Sequence, residues 1–407
     1  MTNAIRGGEA LPAGWRTARL GEVAEQCLGK MLDAAKNKGR PLPYLRNPNV
    51  RWFNVDTADL REMPFEEREL DRYGLAEGDV LICEGGAAGR AAIWDGRCTG
   101  MKFQKALHRV RTGPDLLNRF LVHHLKVDYD SGRLSSYYTG ATIKHLTGQD
   151  LLRYEILLPP LCEQRRIVDV LDRAEALRTL RRAVLAQLDT FTQSIFFEMF
   201  GDPTNLDQWP VRSIADYVAD FQGGKSFQPE DPGASTERRV LKISAVTSGR
   251  FIPLESKPVR DDHHPEPEHF VRPGDLLISR ANTAELVGAV ALVDTCPPNL
   301  LLPDKLWRFV WRHPISIDPL FARSLFQNAS FRRQMSQAAS GTGGSMKNIS
   351  KAKLRGMTTI VPPLDLQRQF ADRVRTIECA AGKQRASLTQ LDALCASIQH
   401  RAFRGEL

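Results

Sequence analysis

From Leu161 to Phe200 the chain runs about forty residues without a glycine or a proline. The run follows Pro159-Pro160 and stops at Gly201-Asp202-Pro203, which predicts one long helix with a hard start and a hard stop. The same stretch occurs twice. Pro159, Leu161, Gln164, Arg165 and Asp169 fall on Pro362, Leu364, Gln367, Arg368 and Asp372, and Gln187-Leu188-Asp189, Ser194-Ile195 and Phe200 fall on Gln390-Leu391-Asp392, Ser397-Ile398 and Phe403, at a constant offset of 203 residues. A gapless register of that length describes two copies of one rigid element.

Each copy carries a seam spaced alternately three and four residues, the pattern of helices packed lengthwise. In the first it is Ile167, Val170, Ala174, Leu177, Arg181, Val184, Leu188, Phe191 and Ile195. In the second it is Val374, Ile377, Ala381, Gln384, Leu388, Leu391, Cys395 and Ile398. Only Arg181 and Gln384 interrupt these seams, at equivalent positions near the helix middles. Antiparallel pairing would bring them into one polar layer that fixes register; the alternative is that each side chain snorkels outward. At 1.5 Å per residue each helix would span about 60 Å, the length of a spacer.

The intervening segments, roughly 11 to 158 and 206 to 361, are weaker copies. Trp15 with Arg19-Leu20-Gly21-Glu22-Val23 matches Trp209 with Ser213-Ile214-Ala215-Asp216-Tyr217. Tyr44-Leu45-Arg46 matches Val240-Leu241-Lys242, Gly78-Asp79-Val80-Leu81-Ile82 matches Gly274-Asp275-Leu276-Leu277-Ile278, and Leu107-His108-Arg109 matches Leu306-Trp307-Arg308. Short β-branched runs punctuated by Gly, Pro and Asp predict a mostly β core, with helices expected over Leu116 to Val127 and Leu320 to Ala339. The predicted class is α+β: two mostly β globules separated by two long helices that pair as an antiparallel coiled coil. The predicted divisions are a first globule over 1–158, a first helix over 159–203, a second globule over 204–361, and a second helix with its tail over 362–407.

The formal net charge is +8. The helical stretch 161–200 is neutral and 364–407 carries +2, so about +6 sits elsewhere. Such an excess suits a polyanionic partner without requiring one. Seven scattered cysteines with no CxxC pair argue for a reducing compartment and against zinc. No apolar leader or membrane-length run is visible, so a cytoplasmic protein without membrane attachment is expected.

Catalytic motifs fail on inspection. Gly223-Gly224-Lys225-Ser226 lacks the earlier glycine of a phosphate loop, since Ala219 stands there, and it reads as a turn. No proline pair completes the tetrapeptide of amino-methyltransferases. His123-His124 and His263-His264 have no carboxylate or Cys at zinc spacing and read as solvated surface. What remains is a set of loops in which basic, amide and aromatic groups sit beside glycine. In the first copy these are Lys30, Arg40, Tyr44, Arg90, Tyr138, Thr142 and Lys144. In the second they are Lys225, Arg250, Arg280, Asn282, Ser345 and Lys347. Arg and Asn can read base edges, while Lys, Ser and Thr hold phosphates; each residue alone is also an ordinary solvated loop residue.

The helix openings Pro-Pro-Leu-x-x-Gln-Arg, the run Phe196-Phe197-Glu198-Met199-Phe200-Gly201-Asp202-Pro203 and the ending Ala402-Phe403-Arg404-Gly405-Glu406-Leu407 resemble the conserved spacer regions of the DNA-specificity subunits of Type I restriction-modification enzymes. The Gly-Asp strands and Gly140-Ala141-Thr142-Ile143-Lys144 resemble that family's target-recognition domains. The resemblance implies a non-catalytic, phage-defence DNA-binding subunit with two target-recognition domains, each reading half of an asymmetric bipartite site on double-stranded DNA. It also implies spacer helices that dock two methyltransferase subunits, which in turn support restriction subunits. For helix pairing and subunit docking the seams supply Ile167, Leu177, Arg181, Leu188, Ile195, Ile377, Gln384, Leu391 and Ile398. S-adenosylmethionine, ATP and Mg are expected on the partner subunits, and no cofactor or metal on this chain. Unlike well-known members, the chain has no long conserved segment before Trp15, so closure of the fold is expected to rest on the C-terminal tail. The competing readings are an assembly scaffold that does not bind DNA and, third, a nuclease or methyltransferase with a cryptic site.

Overall fold

The computed structural model describes residues 11–407 apart from 34, 141–143, 227–236, 260–264, 315 and 342–345. The described chain divides into two compact units. One combines the residues up to Arg181 with Ser387–Leu407, and the other is Arg182–Ala386. Both divisions fall inside the long helices Leu161–Phe200 and Leu364–Ala402.

In the first unit a four-stranded antiparallel sheet has the order Ala24–Leu28, Leu107–Thr112, Val80–Cys83, Ala91–Ile93. Beside it Arg40–Leu45 pairs antiparallel with Arg61–Phe65 and parallel with Lys102–Phe103. Arg16–Arg19 and Glu155–Leu158 close the globule. The second unit repeats this strand for strand. Its four-stranded sheet is Val218–Gly223, Leu306–Trp311, Leu276–Ser279, Val290–Leu292, its mixed sheet is Ser256–Pro258, Arg239–Leu241, Leu300–Leu301, and its closing pair is Val211–Ser213 with Thr358–Ile360. The predicted helices appear as Asn118–Asp130 and as a pair, Pro319–Gln327 and Ala329–Ala338. The split falls at Asn328, whose side chain accepts the Ser330 N–H and caps a new helix.

The repeated motifs prove to be fasteners. Gly78 and Gly274 take positive φ, and the aspartate after each meets an arginine of the central strand, Asp79 with Arg111 at 2.8 Å and Asp275 with Arg308 at 2.9 Å. The glutamine of each helix opening is fully buried. Gln164 accepts the Leu117 N–H and donates to the carbonyls of Asp115 and Pro159; Gln367 accepts the Asp318 N–H and donates to Pro362 and Ser316. Each amide ties a long helix to the loop that starts its globule's helix, and a buried amide with every group bonded holds that junction in one geometry.

Within each unit the start of one long helix packs antiparallel on the end of the other. Arg178 reaches Asp392 at 2.6 Å, and Arg166 donates to the Leu407 carbonyl. In the second unit the rings of Phe196 and Phe370 lie 5.6 Å apart, and Arg385 stands 3.6 Å from Asp189. Helix Leu364–Ala402 buries Val374, Ala381 and Cys395, with Ile377, Gln384, Leu391 and Ile398 half-buried. Helix Leu161–Phe200 departs from its expected seam. Ile167, Leu171 and Ala174 are buried, but Leu177 is 54% exposed and Phe191 51% exposed. Arg178 takes the next inward place, held by Glu175 and Asp392. A straight helix drifts against a strict seven-residue repeat, which moves the stripe by one residue there. Arg181, Leu188 and Ile195 are half-buried.

Each helix end seats a phenylalanine in the core of the unit it reaches. Phe403 packs 5.4 Å from Phe120 and 5.1 Å from His124, and Gly405 lies against Pro12. Phe200 packs 5.0 Å from Phe321 and accepts the Trp209 indole N–H at its carbonyl. The C-terminal tail thus packs on the first globule. His123 and His124 correct the solvated reading, being 1% exposed each. His123 Nε2 meets Asp172 at 2.7 Å, and His124 bonds the Tyr154 hydroxyl at 2.6 Å and the Leu157 N–H at 3.1 Å. These bonds offset the burial of both rings, although His123 Nδ1 is buried without a hydrogen-bond partner among the described residues. His263-His264 lie outside the described residues.

Candidate nucleic-acid interface

In the first unit the glycine loop after strand Val80–Cys83 is laced to its neighbours. Gly85 bridges His145, and a Cβ at Gly89, where φ is +90°, would meet Leu134 at 2.6 Å. The Tyr138 hydroxyl donates to the Ala88 carbonyl at 2.7 Å, and burial pushes its pKa up to about 12, so it stays a neutral donor. Lys144 is exposed with its ammonium 5.9 Å from the Tyr138 ring centroid. Arg90 donates to the Asn47 carbonyl and Oδ1 at 3.0 and 2.8 Å, and Asn47 donates to Gly85. Tyr138, Lys144 and Arg90 therefore gather around one loop, while Thr142 lies outside the described residues.

Arg40 and Tyr44 belong to the mixed sheet instead, and Lys30 forms a bridge with Gln104. Arg40 is exposed and Tyr44 is buried. Lys30 is 6% exposed, bonded to the Pro64 carbonyl at 2.8 Å and to Glu69 at 2.5 Å. Its charge is neutralised inside the protein, which corrects the expectation of a loop cation facing solvent.

In the second unit Arg280 lies 5.6 Å from the Trp307 ring centre and donates to the Asp304 carbonyl at 2.8 Å. Asn282 pairs in a short antiparallel ladder with Lys347, whose ammonium donates to Ser336 at 3.0 Å. Arg250 is drawn to Asp189 on the long helix, away from this group. Ser345 lies outside the described residues. The glycines of Gly223-Gly224-Lys225 serve packing: a Cβ at Gly224 would fall 1.6 Å from the Leu302 carbonyl oxygen.

Sequence reasoning missed a groove of about 450 Å³ in this unit, walled by Lys225, Lys242, Lys257 and Lys305. These lysines lie in or beside four separate strands, so no local motif could reveal them. Among the described residues there is no cluster of three or more side chains able to hold a metal, and no helix is long and apolar enough to cross a membrane.

The architecture is duplicated, with two like sets of sheets and two long helices. Residues 12–190 match the family model of the Type I restriction modification DNA specificity domain. The chain is 25% identical to the EcoKI specificity subunit of Escherichia coli K12, over 98% of this chain and 90% of that one, and 21% identical to the MjaVIII specificity subunit of Methanocaldococcus jannaschii, over 98% and 94%. Its fold is similar to a chain from a solved type I R-M system (TM-score 0.57, 19% identity, 98% and 100% covered) and to the Type I S subunit from M. genitalium (TM-score 0.55, 13% identity, 99% of both). Over residues 12–190 the chain thus matches the Type I restriction modification DNA specificity domain, and along nearly its whole length it is similar to specificity subunits of Type I restriction enzymes.

Proposed function

We propose that the chain directs its complex to an asymmetric, gapped DNA sequence, with each β globule reading one half-site and the two long helices setting the gap and docking two methyltransferase subunits. The observation that carries this reading is the duplication of the three main sheets of the globule with different side chains at its loops. Equal scaffolds with unequal loops suit two unequal half-sites. Around the glycine loop of the first unit, Lys144, Tyr138 and Arg90 form the proposed contact surface; in the second, Lys225, Arg280, Asn282 and Lys347 do. The methyl donor, ATP and Mg belong on the partner subunits, restriction subunits join through the methyltransferases, and the assembly works in the cytoplasm.

Methylation mapping of genomic DNA tests this, comparing cells that carry the chain with cells that lack it while the partner methyltransferase is retained. One asymmetric gapped motif should lose its methyl group on deletion. Unchanged methylation would leave the assembly-scaffold reading in its place.

A further inference from the structure

We infer that the lysine-walled groove of the second unit is a track for the phosphate backbone of duplex DNA; the inference rests on the DNA-specificity reading above. Comparing equivalent positions supports it. Lys225 and Lys30 each form a parallel bridge at the same place, to Pro303 and to Gln104, and Lys242 and Arg46 follow the matched strands. In the first unit both cations are captured. Lys30 is sealed against Glu69, and Arg46 bonds Asp59 at 2.5 Å with its side chain only 13% exposed. In the second unit the same cations stand out in solvent. Lys225 pairs with Glu266 at 2.9 Å, with side chains 60% and 58% exposed, and Lys242 lies 3.8 Å from Glu255, with 49% and 42% exposed.

Ion pairs this exposed hold weakly and yield to a competing anion. Lys257 and Lys305 complete the wall and have no carboxylate partner among the described residues. The one acid on the wall, Asp304, leans toward Arg280 at 3.7 Å. An ammonium is a point charge with donors only and no planar fork, so four of them over an apolar floor of Val240, Leu241 and Pro303 fit phosphate oxygens better than base edges.

The test uses the chain assembled with its methyltransferase subunits and a duplex carrying the mapped site. Affinity is followed against salt for the wild type, for Lys257→Gln with Lys305→Gln, and for Lys257→Arg with Lys305→Arg. Two lost phosphate contacts should flatten the slope of log affinity against log salt by about 2. The loss should be the same on every single-base-pair variant of the duplex, leaving the preferred sequence unchanged, and the arginine pair should keep the wild-type slope. An unchanged slope in the glutamine pair, or a loss confined to particular base pairs, overturns the inference. If the glutamine pair does not assemble, Lys305→Gln alone is read in the same way for a change of about 1. A wild-type complex with no preference for the mapped duplex would instead sink the parent reading.

Discussion

The two globules share a strand order but fill it with different chemistry. Phe120 and Phe321 each stand third in their helices and each receives a helix-end phenylalanine. Around Phe403 the first unit sets a polar network: His124 bonds Tyr154, whose hydroxyl donates to Asp128 at 2.5 Å, and Arg133 pairs with Asp128. Around Phe200 the second unit sets Phe196, Phe321, Phe370 and Trp209. On the central strand of the first sheet His108 takes the place that Trp307 holds in the second. A duplicated backbone thus accommodates either a hydrogen-bonded or an aromatic core around the seated phenylalanine.

The likeness of the two globules breaks most visibly at the helix ends. Phe200→Ala and Phe403→Ala should each cost about 3–5 kcal/mol, as deletions of fully packed aromatic side chains do. Local hydrogen exchange should place the first loss in 206–361 and the second in the N-terminal globule, far from Phe403 in sequence. Loosening of the same globule by both changes would contradict the seating of these two rings.

Gln164→Met and Gln367→Met should come next. Each leaves one backbone N–H and two carbonyls without their buried partner, a loss of about 2 kcal/mol or more in urea unfolding. Equal effects in the two copies would show that the junction works alike on both backgrounds.

The smallest effect separates the copies by pH. Burial lowers the pKa of His108 and His123 below the ordinary 6.5, and the second unit has Trp307 and Ser324 at those places. His108 bonds Gln26 at 2.7 Å and Leu146 at 2.8 Å, and His123 faces Asp172, Arg119 and the Phe53 ring. A depressed histidine pKa means that the unfolded chain binds more protons, so this stability is complete above about pH 6.5 and is lost as the pH falls below it. Exchange protection of the first globule should fall more steeply than that of the second between pH 7 and 5. Parallel loss in both would refute this assignment.

Much of the architecture is legible along the chain itself. The gapless 203-residue register bounds both helices to within a few residues, and the matched Gly-Asp strands point to two like β globules. Proline, glycine and periodicity act locally, and a helix with a proline start and a glycine stop has little freedom to be anything else. Tertiary structure alone decided which charges face solvent. Lys30 and Lys225 are the same residue at the same place, yet one is sealed by Glu69 and the other stands beside an exposed Glu266. It also decided that His123-His124 is buried, that Leu177 faces outward, and that four lysines remote in sequence share one groove. The reason is that pairing and desolvation depend on groups brought together by strand register and packing, and neither the distance to a partner nor the exclusion of water is written in the spacing of residues along the chain.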